Sequence, residues 1–144
     1  MVGIVIFTHG SVARALRECA EDFFRDPRHL VDIALDREAD RADTWAALQQ
    51  GVKDADAGDG VLLLVDMFGG TPSNLAMALL TRDDVAVITG VNLPMVLRAM
   101  QKRDTLSVHD LSDDVLAYGR RNVTSAAEWL KPEKTEEIPR GVEG

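Results

Sequence analysis

His9 lies in the loop Thr8-His9-Gly10-Ser11, directly after the apolar run Gly3-Ile4-Val5-Ile6-Phe7, and Asp66 closes the apolar run Val61-Leu62-Leu63-Leu64-Val65. Imidazole, with an unperturbed pKa near 6.5, attacks as a neutral base at cellular pH and can later act as a leaving group. A carboxylate at the end of so apolar a strand is costly unless a partner uses it. If the two strands are neighbours, Asp66 can accept from one ring nitrogen of His9, fix the tautomer and free the other nitrogen. That is the arrangement of a nucleophilic histidine. The plainer readings are a histidine capping the next helix and an aspartate capping a turn.

The residues after Asp66 weigh against the plainer readings. Gly69-Gly70 supplies a turn of unrestricted backbone, Thr71 is a natural N-cap, and Pro72 at the first helical position leaves the amides of Ser73 and Asn74 near a helix start. Free amides, the positive end of the helix dipole and the hydroxyls of Thr71 and Ser73 would hold phosphoryl oxygens, with Gly70 letting the backbone approach them. No lysine follows the glycines and their spacing is wrong for a GxGxxG fingerprint, so nucleotide binding is not supported. A third loop, Thr89-Gly90-Val91-Asn92-Leu93-Pro94-Met95, ends another apolar run. Met67, Phe68, Asn92 and Met95 beside the site are candidates for a partner-docking rim, although the apolar members could equally cover the sheet edge.

Alternating elements must position these loops. Strands are expected at Ile4 to Phe7, Leu30 to Leu35, Gly60 to Val65 and Val85 to Thr89. Helices are expected from Val12 to Phe23, at Asp40 to Asp54, Pro72 to Leu80, Pro94 to Lys102 and Asp113 to Leu130, the last interrupted by Gly119. Thr105 to Val108 reads as a weak strand. Runs without polar alternation imply strands buried on both faces, so the fold class is α/β: a doubly wound, open, mainly parallel sheet with helices on both faces. Ligands of such folds sit outside the carboxyl ends of the strands where strand order reverses, which is where all three loops fall.

The 144 residues are enough for one domain, expected over residues 1–130, with a flexible polar tail over 131–144. Hydrophobic residues make up 46% and charged residues 28%, an ordinary globular composition. The formal charge of −8 argues against nucleic acid and anionic membrane as partners. No apolar stretch approaches the length needed to cross a bilayer, and no signal peptide opens the chain. The single cysteine, Cys19, excludes an intramolecular disulfide framework and fits a reducing cytoplasm.

Three motifs together resemble the enzyme IIA domain of the mannose-type sugar phosphotransferase system: Ile4-Val5-Ile6-Phe7-Thr8-His9-Gly10, then Leu63-Leu64-Val65-Asp66-Met67-Phe68-Gly69-Gly70-Thr71-Pro72-Ser73-Asn74, then Gly90-Val91-Asn92-Leu93-Pro94-Met95. The resemblance runs in order over about residues 2–130. It implies that His9 accepts a phosphoryl group from phospho-HPr and passes it to a IIB partner, with Asp66 orienting the imidazole. It implies that Thr71, Ser73 and nearby amides bind the phosphoryl oxygens, without metal or other cofactor. It also implies a homodimer with an exchanged antiparallel edge strand, for which Thr105 to Val108 is the candidate. In the sugar-transport members this domain is often fused to a IIB domain, and here a separate IIB chain is the expected acceptor. The alternatives are a stand-alone regulatory IIA-like protein, a dihydroxyacetone-kinase phosphotransfer subunit ranked below it, and a non-catalytic anion-binding domain.

The remaining residues of chemical interest take plainer roles. His29 reads as a solvated loop residue, His109 as a surface or dimer-interface residue, and Cys19 as a buried small hydrophobe. Arg14 and Arg17 read as solvated.

Overall fold

The computed structural model describes residues 1–67, 69 and 71–131, without the side chains of Pro72 and Ser73. The expected tail lies outside the described residues apart from Lys131. Four strands, β1 (Gly3–His9), β2 (Leu30–Leu35), β3 (Val61–Val65) and β4 (Val85–Thr89), form one parallel sheet in the order β2-β1-β3-β4. Strand order reverses between β1 and β3, whose registers pair Phe7 with Val65 and carry both chains to the same carboxyl edge. β1 also pairs with β2, so that His9 lies level with Leu35.

Side-chain alternation divides the core. Ile4, Ile6, Leu62, Leu64, Ala86 and Ile88 face a cluster built with α1 (Val12–Glu21), α4 (Leu93–Lys102) and α5 (Val108–Arg121). Val5, Phe7, Leu63 and Val65 face the other cluster, with Leu48 and Val52 of α2 (Arg41–Ala55) and Leu75 of α3 (Thr71–Met77). β3 is buried at all five positions, which explains its uninterrupted hydrophobic sequence. Each such side chain contributes roughly 1.5–3 kcal/mol by leaving water.

Helix starts follow side-chain chemistry. The Asp40 carboxylate accepts from Ala42 N and Asp43 N at the start of α2, and the Asn92 side chain accepts from Met95 N at the start of α4, which carries Pro94 in its first turn. A 3₁₀ turn over Ala78–Thr81 continues α3 toward β4.

The strand expected over Thr105 to Val108 is a turn leading into α5, and the reason is local. Ser107 Oγ accepts the N–H of Asp110 at 3.2 Å and donates to its carboxylate at 2.8 Å. This reciprocal cap starts the helix at Val108, ahead of the expected Asp113. The helix then ends at Arg121, and a short α6 (Ala126–Trp129) follows. Gly119 does not interrupt α5. It lies against Met95, where an added Cβ would collide with the methionine side chain.

At the opposite edge, the buried Arg103 donates to the carbonyls of Arg28 at 2.7 Å and Asp26 at 3.0 Å. His29, expected to be solvated, is half-buried there, with Nδ1 2.9 Å from the Ala55 carbonyl. Cys19 lies on the exposed side of α1, because Ala13 and Ala20 occupy the buried positions instead.

Candidate active site

The carboxyl edge brings His9 and Asp66 into contact across the point where strand order reverses. Asp66 Oδ2 lies 2.9 Å from His9 Nδ1 and accepts the main-chain N–H of His9 at 3.0 Å. Its other oxygen accepts the N–H of Met67 at 3.0 Å. Burial pushes the Asp66 carboxyl up, but the His9 main chain, the His9 ring and the Met67 N–H outweigh it and hold the group below its ordinary value. An ionised carboxylate only accepts hydrogen bonds, so neutral His9 carries its proton on Nδ1 and its lone pair on Nε2. Among the described residues no hydrogen bond engages Nε2, and the His9 side chain is 45% exposed. The arrangement leaves an oriented ring nitrogen accessible to solvent, beside a carboxylate able to balance positive charge on the ring.

Thr71, exposed, is the first residue of α3 rather than its cap. A cavity of about 360 Å³ separates it from the β2–α2 connection, with Arg37 and Arg41 on the wall. These guanidinium groups at the carboxyl edge are not singled out by any sequence motif. Gly70 and the side chain of Ser73, expected beside Thr71 as phosphoryl-binding groups, lie outside the described residues, as does Phe68 of the expected docking rim.

Met67 follows Asp66 directly and is exposed. Asn92 is half-buried and uses its side-chain oxygen to cap α4, at 2.9 Å from Met95 N. Met95 is 3% exposed and packs in the core, because α4 turns its first buried position toward Gly119 of α5. It offers no surface for a docking rim. Arg14 pairs with Glu18 on the surface of α1, and Arg17 pairs with Glu21 and Asp32. Neither reaches His9 or Asp66. His109 sits near the start of α5, with Nε2 2.7 Å from the Asp83 carbonyl, away from the site.

Residues 3–116 match the family model described as "PTS system fructose IIA component". The chain belongs to this family of phosphotransferase-system IIA components. The fructose-specific EIIA component of Bacillus subtilis (strain 168) is 29% identical over 136 residues, which cover 94% of this chain and 93% of that one. The mannose-specific EIIAB component of Escherichia coli (strain K12) is 32% identical over 106 residues, covering 72% of this chain but 32% of the longer relative. Among solved structures, the phosphotransferase component EIIA of Streptococcus agalactiae superposes with a TM-score of 0.80 at 27% identity, covering 89% of this chain and 99% of that one. The mannose/sorbose IIA subunit of Enterococcus faecalis gives 0.75 at 25% identity, covering 86% and 93%. As a IIA component the chain serves the phosphoryl relay of a sugar phosphotransferase system and is a phosphotransferase in that general sense. No helix among the described residues is long and apolar enough to cross a membrane.

Proposed function

We propose that His9 is the phosphoryl carrier of this IIA component, with phospho-HPr as donor and a IIB protein as acceptor. The observation that supports this most is the 2.9 Å contact between His9 Nδ1 and Asp66, which leaves Nε2 as the available nucleophile. In the forward step the Nε2 lone pair attacks the phosphorus of the donor phosphohistidine. The new N–P bond forms as the donor N–P bond breaks, and the donor imidazole leaves with the electron pair. His9 then carries the phosphoryl group on Nε2 and the proton on Nδ1, and Asp66 balances the ring's positive charge. Transfer to IIB reverses this chemistry, with His9 as the leaving group. Phosphoryl transfer through a loose transition state asks mainly for in-line positioning and electrostatic stabilisation, which side chains held in this way supply.

In this reading Thr71, Ser73 and the backbone at Gly70 receive the phosphoryl oxygens, and Met67 and Phe68 contribute to docking. The protein works in the cytoplasm, where donor and acceptor are found. It pairs as a homodimer: β4 ends the strand order, so its outer edge has no strand partner among the described residues, and a cavity of about 400 Å³ opens between β4 and α5. An open edge of this kind favours association with a second chain.

The test combines the purified chain with phosphoenolpyruvate, enzyme I and HPr, followed by intact mass. One added phosphoryl group on wild type and none on His9→Ala supports the relay. An unmodified wild-type chain in a mixture where HPr itself is phosphorylated rejects it.

A further inference from the structure

Thr8 is fully buried at the end of β1, one residue before His9, and its hydroxyl has two partners. Oγ1 accepts the N–H of Ala13 at 2.7 Å and donates to the carbonyl of His9 at 3.2 Å. Ser11, which occupies the N-cap position of α1, makes no side-chain cap bond. The amide at the start of α1 is therefore served from the strand, across the segment that carries the candidate nucleophile. Within that segment Gly10 has φ +53°, a left-handed backbone that glycine adopts at low cost. Thr8 supplies a side-chain restraint across this turn, which glycine cannot.

We propose that Thr8 is a positioning residue for phosphoryl transfer: its hydroxyl ties the start of α1 to the His9 carbonyl and so holds His9 in register with Asp66. The inference rests on the reading of His9 as phosphoryl acceptor. Strand alternation places Thr8 with Ile4 and Ile6 on the α1 side of the sheet and His9 with Phe7 on the α3 side, so Thr8 acts through the main chain and does not touch the phosphoryl group. Both the main-chain N–H and ring Nδ1 of His9 meet one oxygen of Asp66, so a small rotation of the His9 backbone loosens both contacts at once. The role requires a hydroxyl, since the same atom must accept from Ala13 and donate to His9. Serine can meet that requirement and valine cannot.

The experiment uses full-length wild type, Thr8→Val and Thr8→Ser. The ¹⁵N resonances of the neutral His9 ring report its tautomer, and steady-state transfer from phospho-HPr gives kcat and KM. Thr8→Val is expected to show a mixture of ring tautomers and a kcat about 10-fold or more lower, with KM within about 2-fold. Thr8→Ser is expected to keep the wild-type tautomer and to transfer within about 3-fold of wild type. Wild-type tautomer and rate in Thr8→Val overturn the proposal. So does a tautomer mixture in Thr8→Ser, and this outcome can be read even if the valine variant fails to fold. Because the tautomer measurement needs no phosphoryl donor, it judges Thr8 separately from the carrier reading, which fails if wild type takes up no phosphoryl group.

Discussion

A single oxygen of Asp66 holds His9 twice, accepting its main-chain N–H at 3.0 Å and facing its ring Nδ1 at 2.9 Å. The main-chain bond fixes where the residue sits and the ring bond fixes how the imidazole turns. Both would be weakened by removing the charge on one side chain. Asp66→Asn is therefore expected to lower the rate of phosphoryl acceptance by about 10²- to 10⁴-fold, with the fold retained, as judged by single-turnover transfer from phospho-HPr. A rate within a few-fold of wild type would remove Asp66 from the mechanism.

The same carboxylate links stability to pH. Its pKa is depressed below the ordinary 3.8 despite burial, because of its bonds from His9 and Met67. A group depressed in the folded state contributes stability above its unfolded value and loses it as pH falls through the folded one. The stability advantage of wild type over Asp66→Asn should therefore shrink as pH is lowered from about 5 toward 2. Urea midpoints of the two chains across that range check this, and a gap that stays constant or widens on acidification has the wrong sign.

Asn92 and Met95 separate fold from docking. Asn92 caps α4 by accepting from Met95 N, so Asn92→Ala is expected to cost about 1 kcal/mol of stability. Met95 is buried against Gly119, so Met95→Ala is expected to cost about 2–5 kcal/mol. Chemical denaturation gives both values. For the Met95 variant, KM for phospho-HPr should stay near wild type at temperatures where it remains folded.

Ser107 makes a similar point about α5. Its hydroxyl serves the N–H of Asp110, and replacing it with alanine should cost about 1 kcal/mol in a thermal or urea melt. A loss below a few tenths would mean that packing alone starts this helix.

The parallel sheet was legible because burial on both faces removes polar alternation from the strands, so Val61–Val65 and Val85–Thr89 announce themselves as apolar runs. The meeting of His9 and Asp66 was legible for a topological reason: residues that follow adjacent parallel strands share an edge. Thr105 to Val108 misled because its β-branched ends resemble a strand, while the Ser107-Val108-His109-Asp110 spacing, which carries a helix cap, identifies the element that forms. Met95 misled because sequence proximity to a site loop says nothing about which way the first turn of a helix faces. Thr8 reads from sequence as the first residue of the loop that carries His9, whereas in the fold it lies within β1, buried, with its hydroxyl on Ala13 N, a contact that no local sequence pattern signals.

In the proposed relay Nε2 of His9 carries the phosphoryl group while Nδ1 stays bonded to Asp66. The most direct measurement is a heteronuclear NMR spectrum of the ¹⁵N-labelled chain after phosphorylation by phosphoenolpyruvate, enzyme I and HPr, correlating ring nitrogens with carbon-bound ring protons and with phosphorus. One phosphohistidine, at His9 and bonded through Nε2, is the expected result. Attachment through Nδ1, or to any residue other than His9, would contradict it.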